Sequence, residues 1–167
     1  MTADKILKVE LNLLSDQNGV PGGALATDPN TGLPRLEAGS TFFAEVLVAD
    51  LRTNAAGLIG LSLDLNWNAA VITGLERSLT TSLPLQQGGT IEAGAVTRLS
   101  AGSLPAAGIG QALGRNTLER FALVRLRAIA PLQATSLTIS NIRAEAFATA
   151  DTTTPFPVLA DFSQQLE

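Results

Sequence analysis

At 167 residues and a formal charge of −4, with no cysteine and no histidine, the chain has the length of one domain and lacks the residues for disulfides, thiolate metal sites, a Ser-His-Asp triad or a His-ligated zinc. Fifteen acidic against eleven basic residues, without a Lys/Arg run, leave no basic footprint for a phosphate backbone, so nucleic acid is not an expected partner. No window approaches the roughly eighteen apolar residues of a membrane-spanning helix, and no membrane insertion is expected.

Leu7, Val9, Leu11 and Leu13 alternate with Lys8, Glu10 and Asn12, a period of two that predicts a first strand over 5–14. Ser15-Asp16-Gln17-Asn18-Gly19 supplies turn chemistry. With Pro21-Gly22-Gly23 and Asp28-Pro29-Asn30-Thr31-Gly32 behind it, the stretch from 15 to 34 reads as one long excursion. Phe42, Ala44, Val46 and Val48 predict the inward stripe of a second strand over 41–49, and 50–56 reads as a polar connection. In the next stretch Ile59, Leu61, Leu63, Leu65 and Trp67 occupy alternate positions, with Gly60, Ser62, Asp64 and Asn66 between them. An extended chain gathers those five bulky groups on one face, whereas a helix scatters them around its circumference. This is the expected central strand, with Trp67 at the end of its buried side.

Residues 70–75 read as a bend and a brief strand, and 77–94 shows no clean period, with Pro84 and Gly88-Gly89 as breakers. A further strand is expected over 94–99. Leu118 to Ile129 carries two patterns: a helical stripe of Leu118, Ala122, Leu126 and Ile129 behind an Asn116/Glu119 capping box, and a strand parity of Ala122, Val124, Leu126 and Ala128. Strand is preferred, because every neighbour is a strand and one long helix fits such a set badly. Strands over 136–142, 143–149 and 156–162 complete eight or nine, which predicts an all-β, two-sheet antiparallel sandwich as a single domain over 1–167.

The order of these pieces resembles the cohesin-like family of jelly-roll β-sandwiches, related in fold to some carbohydrate-binding modules. The residues that carry the likeness are Ala38-Gly39-Ser40-Thr41-Phe42 at the entry to the second strand, and the 57–68 strand ending in Trp67-Asn68. Val71-Ile72, Leu123-Val124-Arg125-Leu126-Arg127-Ala128 and the strand around Leu137 and Ile139 continue it. The resemblance covers nearly the whole chain in apolar spacing. It implies a non-catalytic module that binds another protein, or serves adhesion or structure, in an exported or cell-surface bacterial assembly. Dockerin-binding relatives place polar residues on the outer side of the strand matched here by 57–66. The corresponding outward positions are Gly60 and Ser62, with Asp64 and Asn66 further along, and Arg125 and Arg127 are expected beside them. Gly60 and Ser62 offer backbone and one hydroxyl, which points to a divergent assembly module more than to capture of a dockerin-like partner. A lysine at Ser62 or Asp64 is expected to block contact without unfolding the domain. Met1-Thr2-Ala3-Asp4 has no signal layout, and the expectation is a segment excised from a longer exported protein, extracellular or at the cell surface.

Asp64-Leu65-Asn66-Trp67-Asn68 has the opening of a calcium loop, but Ala69 and Leu75 stand where that loop needs glycine and a bidentate carboxylate. The turns with Asp16 and Asn18, and with Asp28 and Asn30, are better placed for a hard cation. Ordinary turn chemistry explains them too. No cofactor is expected, with calcium as the remaining option. Gly108-Ile109-Gly110-Gln111-Ala112-Leu113-Gly114 follows no strand and has the wrong spacing for a phosphate loop, so it reads as a flexible connection. Glu45, Asp50, Asp64 and Glu92 are explained as solvated strand faces, with no spacing that pairs two of them, so no enzyme is expected. A carbohydrate-binding module is the alternative, disfavoured by the single inward Trp67 and the lack of tyrosine.

Overall fold

The computed structural model describes residues 7–27, 29, 30, 34, 36–51, 57–130, 135–146 and 162–166. Among them are ten strands: β1 (Leu7–Gln17), β2 (Val20–Ala24), β3 (Thr41–Asp50), β4 (Leu58–Asn66), β5 (Ile72–Leu79), β6 (Leu85–Glu92), β7 (Ala95–Gly102), β8 (Glu119–Ala128), β9 (Thr135–Ala146) and β10 (Phe162–Leu166). They form two five-stranded sheets, ordered β2-β1-β3-β8-β5 and β10-β9-β4-β7-β6. Every strand pairing is antiparallel. The inward stripes of β1, β3 and β8 face those of β4, β7 and β9 across a single apolar core, which includes Leu11, Phe42, Val46, Leu63, Leu99, Val124 and Leu137.

The strand reading of 118–129 is correct: β8 buries Ala122, Val124, Leu126 and Ala128 and turns Arg125 and Arg127 outward. Four expectations need correction. The excursion after residue 15 begins with a hairpin, in which Asn18 (φ 57°) and Gly19 (φ 89°) make the two-residue turn that matches strand twist. Its second strand, β2, is an edge strand, where Pro21 and two glycines are tolerated and erase the period.

In β4 the first buried side chain is Leu58, and Ile59 is only half-buried. A break in register against β9 between Leu58 and Gly60 shifts the parity by one. The patternless stretch 77–94 holds the end of β5 and all of β6, an edge strand whose outward side chains leave no apolar stripe. The strands expected at 136–142 and 143–149 are one, β9, running through a bulge at Asn141 (φ 53°). Of the last expected strand, only Phe162 falls among the described residues, and β10 continues from it to Leu166.

β5 and β6 are edge strands of opposite sheets, and Arg77 spans the gap between them. Its Nε donates to the Gly89 carbonyl at 3.0 Å and its Nη2 to the Gly88 carbonyl at 3.4 Å. A free edge is a template for pairing with another chain, and a charge placed on it blocks that pairing. Arg77→Ala should therefore lower the melting temperature by only about 1–3 °C while producing concentration-dependent association. Sedimentation velocity across a concentration series checks this, and a variant that stays as monodisperse as the parent would refute it.

Candidate protein-contact face

Gly60, Ser62, Asp64 and Asn66 lie on the outer side of β4, which is paired with β7 on one flank and β9 on the other. Their neighbours are equally small or polar. Gly60 is opposite Gly102, and the Ser62 and Ser100 hydroxyl oxygens are 2.6 Å apart. The Asn66 amide donates to Ser140 Oγ at 2.8 Å and to the Thr138 carbonyl at 3.2 Å.

Asp64 holds both flanks. Arg98 (φ 50°) and Asn141 (φ 53°) are in the left-handed region, each beside a register break against β4. Asp64 Oδ1 accepts the Arg98 backbone N–H and Oδ2 accepts the Asn141 amide, each at 2.7 Å. The left-handed conformation costs an ordinary residue roughly 1–2 kcal/mol, so a carboxylate that satisfies donors at both bulges fixes the shape of the sheet. Replacing Asp64 would therefore disturb both bulges as well as any contact at this face. Ser62, between two strands and free of such a duty, is the clean probe.

Two shallow grooves flank the Ser62–Ser100 pair. One, of about 350 Å³, is lined by Gly60, Leu61, Ser62, Arg143 and Ala144, and the other, of about 240 Å³, by Gln87, Gly88, Arg98 and Ser100.

Arg125 and Arg127 are not part of this surface. β8 belongs to the other sheet, so they lie on the opposite outer face of the sandwich. Parity in a sequence distinguishes in from out but not one sheet from the other. That opposite face satisfies much of its charge internally. Arg120 bonds Glu45 Oε2 through Nε (2.8 Å) and Nη2 (2.6 Å), and Asn12 reaches Glu45 Oε1 at 3.4 Å. Arg125 Nε is 2.7 Å from Asp16 Oδ2, and its Nη1 is 3.6 Å from Glu76.

Of the cation candidates, Asp16 is committed to this network, with a side chain only 1% exposed and Oδ1 accepting the Gly19 N–H at 2.6 Å. Asn18 is an exposed turn residue, Asn30 is exposed, and Asp28 lies outside the described residues. Among the described residues no three carboxylates gather as metal ligands would. A hydrogen bond from Thr41, helped by Arg125 and the Gly19 amide and opposed by burial, holds the Asp16 carboxyl below its ordinary 3.8. A native value below the unfolded one stabilises the fold above pH 3.8, and that contribution is lost as pH falls through the lowered native value. Asp16→Asn should thus be less stable at neutral pH and lose less on acidification. Urea midpoints from about pH 6 down to about pH 2 check this, and parallel curves for the two proteins would contradict it.

The remaining motifs have structural explanations. Asp50, expected on a solvated face, is fully buried and is a correction, because the end of β3 is covered by the loop before β8. Gly108 (φ 75°) closes a single 3₁₀ turn at Pro105–Ala107, and Leu113 exchanges backbone hydrogen bonds with Leu58, so this stretch is docked against β4. Trp67 is 7% exposed, and its ring carbons lie against the Gly74 backbone, where they offer no stacking platform. Sequence reasoning missed Arg98, Ser100, Asn141 and Arg143 as neighbours of Ser62 and Asp64. Only the pairing of β4 with β7 and β9 brings them together, and no local signal reports it.

No family model and no curated protein sequence matches the chain. Solved structures do. The chain is similar to the cohesin module of a family 33 glycoside hydrolase from Clostridium perfringens, with a TM-score of 0.66 and 15% identity over 98% of this chain and 97% of that one. A similar likeness holds for the cohesin–dockerin complex Coh-OlpC-Doc435 from Clostridium thermocellum, with a TM-score of 0.63 and 15% identity over 100% and 97% of the two chains. A non-cellulosomal cohesin from the archaeon Archaeoglobus fulgidus matches with a TM-score of 0.54 and 13% identity over 80% and 85%. At these identities the likeness is one of fold: the chain has a cohesin-like β-sandwich fold.

Proposed function

We propose that this chain is a non-catalytic protein-binding module of an exported or cell-surface assembly, and that the outer face of β9-β4-β7 is where its partner sits. The contrast between the two outer faces carries the reading. One pairs Arg120 and Arg125 with carboxylates of its own, leaving Arg127 exposed, and is suited to solvent. The other is floored by Gly60, Gly102, Ser62 and Ser100, so another backbone can approach closely with little desolvation cost. Similar solved folds support it, since some are cohesins in complex with dockerins, including the sixth cohesin of scaffoldin B from Acetivibrio cellulolyticus with a Cel5 dockerin.

Titration calorimetry against a panel of dockerin modules, with cellulose, chitin and xylan oligomers as competitors for the assignment, tests the proposal. A saturable heat with a dockerin is expected to disappear in Ser62→Trp at unchanged melting temperature and to survive in Asn12→Ala on the opposite face. Heat from an oligosaccharide instead, or dockerin binding indifferent to Ser62→Trp, would refute it.

A further inference from the structure

We propose that the partner presents an acidic segment to this face, with two carboxylates anchored by Arg98 and Arg143. The inference rests on the protein-contact reading above and adds the chemistry of the partner. Arg77, Arg120 and Arg125 spend their guanidinium groups inside the molecule, on the Gly88 and Gly89 carbonyls, Glu45 and Asp16 respectively. Arg98 and Arg143 are exposed, and among the described residues neither guanidinium has an acidic partner. Asp64, on the strand between them, has both oxygens committed to the Arg98 backbone N–H and the Asn141 amide.

Each of the two arginines lines one of the grooves on either side of the Ser62–Ser100 pair. They stand on β7 and β9, two strands apart, with Arg143 opposite Ser62 and Arg98 two residues beyond Ser100, which separates their Cα atoms by about 10–12 Å. That span matches two carboxylates about two turns apart on a helix. The glycine and serine floor between them lets such a segment lie close, where a guanidinium can grip a carboxylate through two parallel hydrogen bonds. Arg98 also holds a left-handed backbone that asparagine or glycine would adopt at lower cost. A strained position that keeps a long cation fits a binding role. With a net charge of −4 on the chain, this exposed basic pair runs against the overall balance and favours an acidic partner at this face.

The test is an amide-shift NMR titration of the full chain with a helical Ala-rich peptide carrying glutamates seven residues apart, and with glutamine and lysine versions of it. The glutamate peptide alone should perturb 60–66, 98–102 and 141–143, and binding should weaken as salt rises from about 50 to about 500 mM. Arg98→Asn, which tolerates the left-handed backbone, and Arg143→Gln should each cost about three- to tenfold in affinity at unchanged melting temperature. Equal binding of the glutamine or lysine peptide at the same residues overturns the charge assignment and leaves the contact face standing. Shifts confined to the surface around Arg127 overturn both. An absence of shifts with every peptide overturns the acidic-partner inference, while the dockerin titration still reports on the face. Dimerisation of the chain abolished by Arg143→Gln assigns the face to a second copy and overturns it as well.

Discussion

Leu63→Asp is expected to leave no cooperatively folded domain. Leu63 sits in the middle of β4, fully buried and directly opposite Leu99 of β7, where the two sheets close on each other. Truncation to alanine at such a site costs about 2–5 kcal/mol through lost transfer energy and the cavity left behind. Aspartate adds the burial of a carboxylate with no partner, a further penalty of several kcal/mol whether it is met as charge or as a shifted protonation. The sum is comparable with the roughly 5–15 kcal/mol that holds an ordinary domain together. Far-UV circular dichroism and a thermal melt decide the matter. Ser62→Asp, one position away on the outer side, should melt within a few degrees of the parent. If Leu63→Asp melts like the parent, the sheet face is not sealed and the sandwich description is wrong.

Asp50→Ala is expected to cost about 3 kcal/mol, or roughly 6–12 °C in melting temperature for a domain of this size. Asp50 ends β3, and its carboxylate accepts the Gly57 N–H at 3.0 Å just before β4 begins. Its backbone N–H donates to the Gly114 carbonyl at 2.6 Å and its carbonyl accepts the Asn116 N–H at 3.0 Å. One buried residue thus joins the end of one sheet, the start of the central strand of the other and the loop that leads into β8. Gly114 is part of the same joint: it holds φ 72°, and a side chain there would run into the backbone of Val48 and Ala49, so only glycine fits. Removing the carboxylate leaves a buried N–H without an acceptor, the expensive way to lose a hydrogen bond. Asp50→Asn keeps an acceptor and should recover a substantial part of the loss. Urea unfolding of the three proteins measures both values, and equal midpoints would show that the carboxylate does not hold this joint.

The strands legible in the sequence are those that bury one face. β1, β3, β4 and β8 each show the period of two because solvent and core select opposite residue types at successive positions. The alternation in 119–128 is matched by an equally good helical spacing, and only the strand character of its neighbours favours the strand that the structure shows. β2 and β6 left no such trace. Both are edge strands with mostly exposed or half-exposed side chains, and their glycines and Pro21 read as breakers. Local shifts of register were equally silent: nothing in Leu58-Ile59-Gly60 announces that the first of these, and not the second, enters the core.

The candidate face divides in the same way. Gly60, Ser62, Asp64 and Asn66 were recognisable as the outer side of β4, because that depends on parity within one strand. Their true company, Arg98, Ser100, Asn141 and Arg143, and the exclusion of Arg125 and Arg127, depend on which strands pair. So does the conversion of Asp64 from a surface carboxylate into the clamp of two bulges.

The sequence by itself determined an all-β chain with one sealed core, a buried Trp67 and a central strand with a small, polar outer side, because each of these is written in the alternation of side chains along a single strand. Only the tertiary structure decided which arginines share that outer face, that Asp50 is interior, and where the ladder slips. Partners far apart in the chain, such as Asp16 and Arg125, 109 positions apart, meet only because of the order in which the strands pair within each sheet.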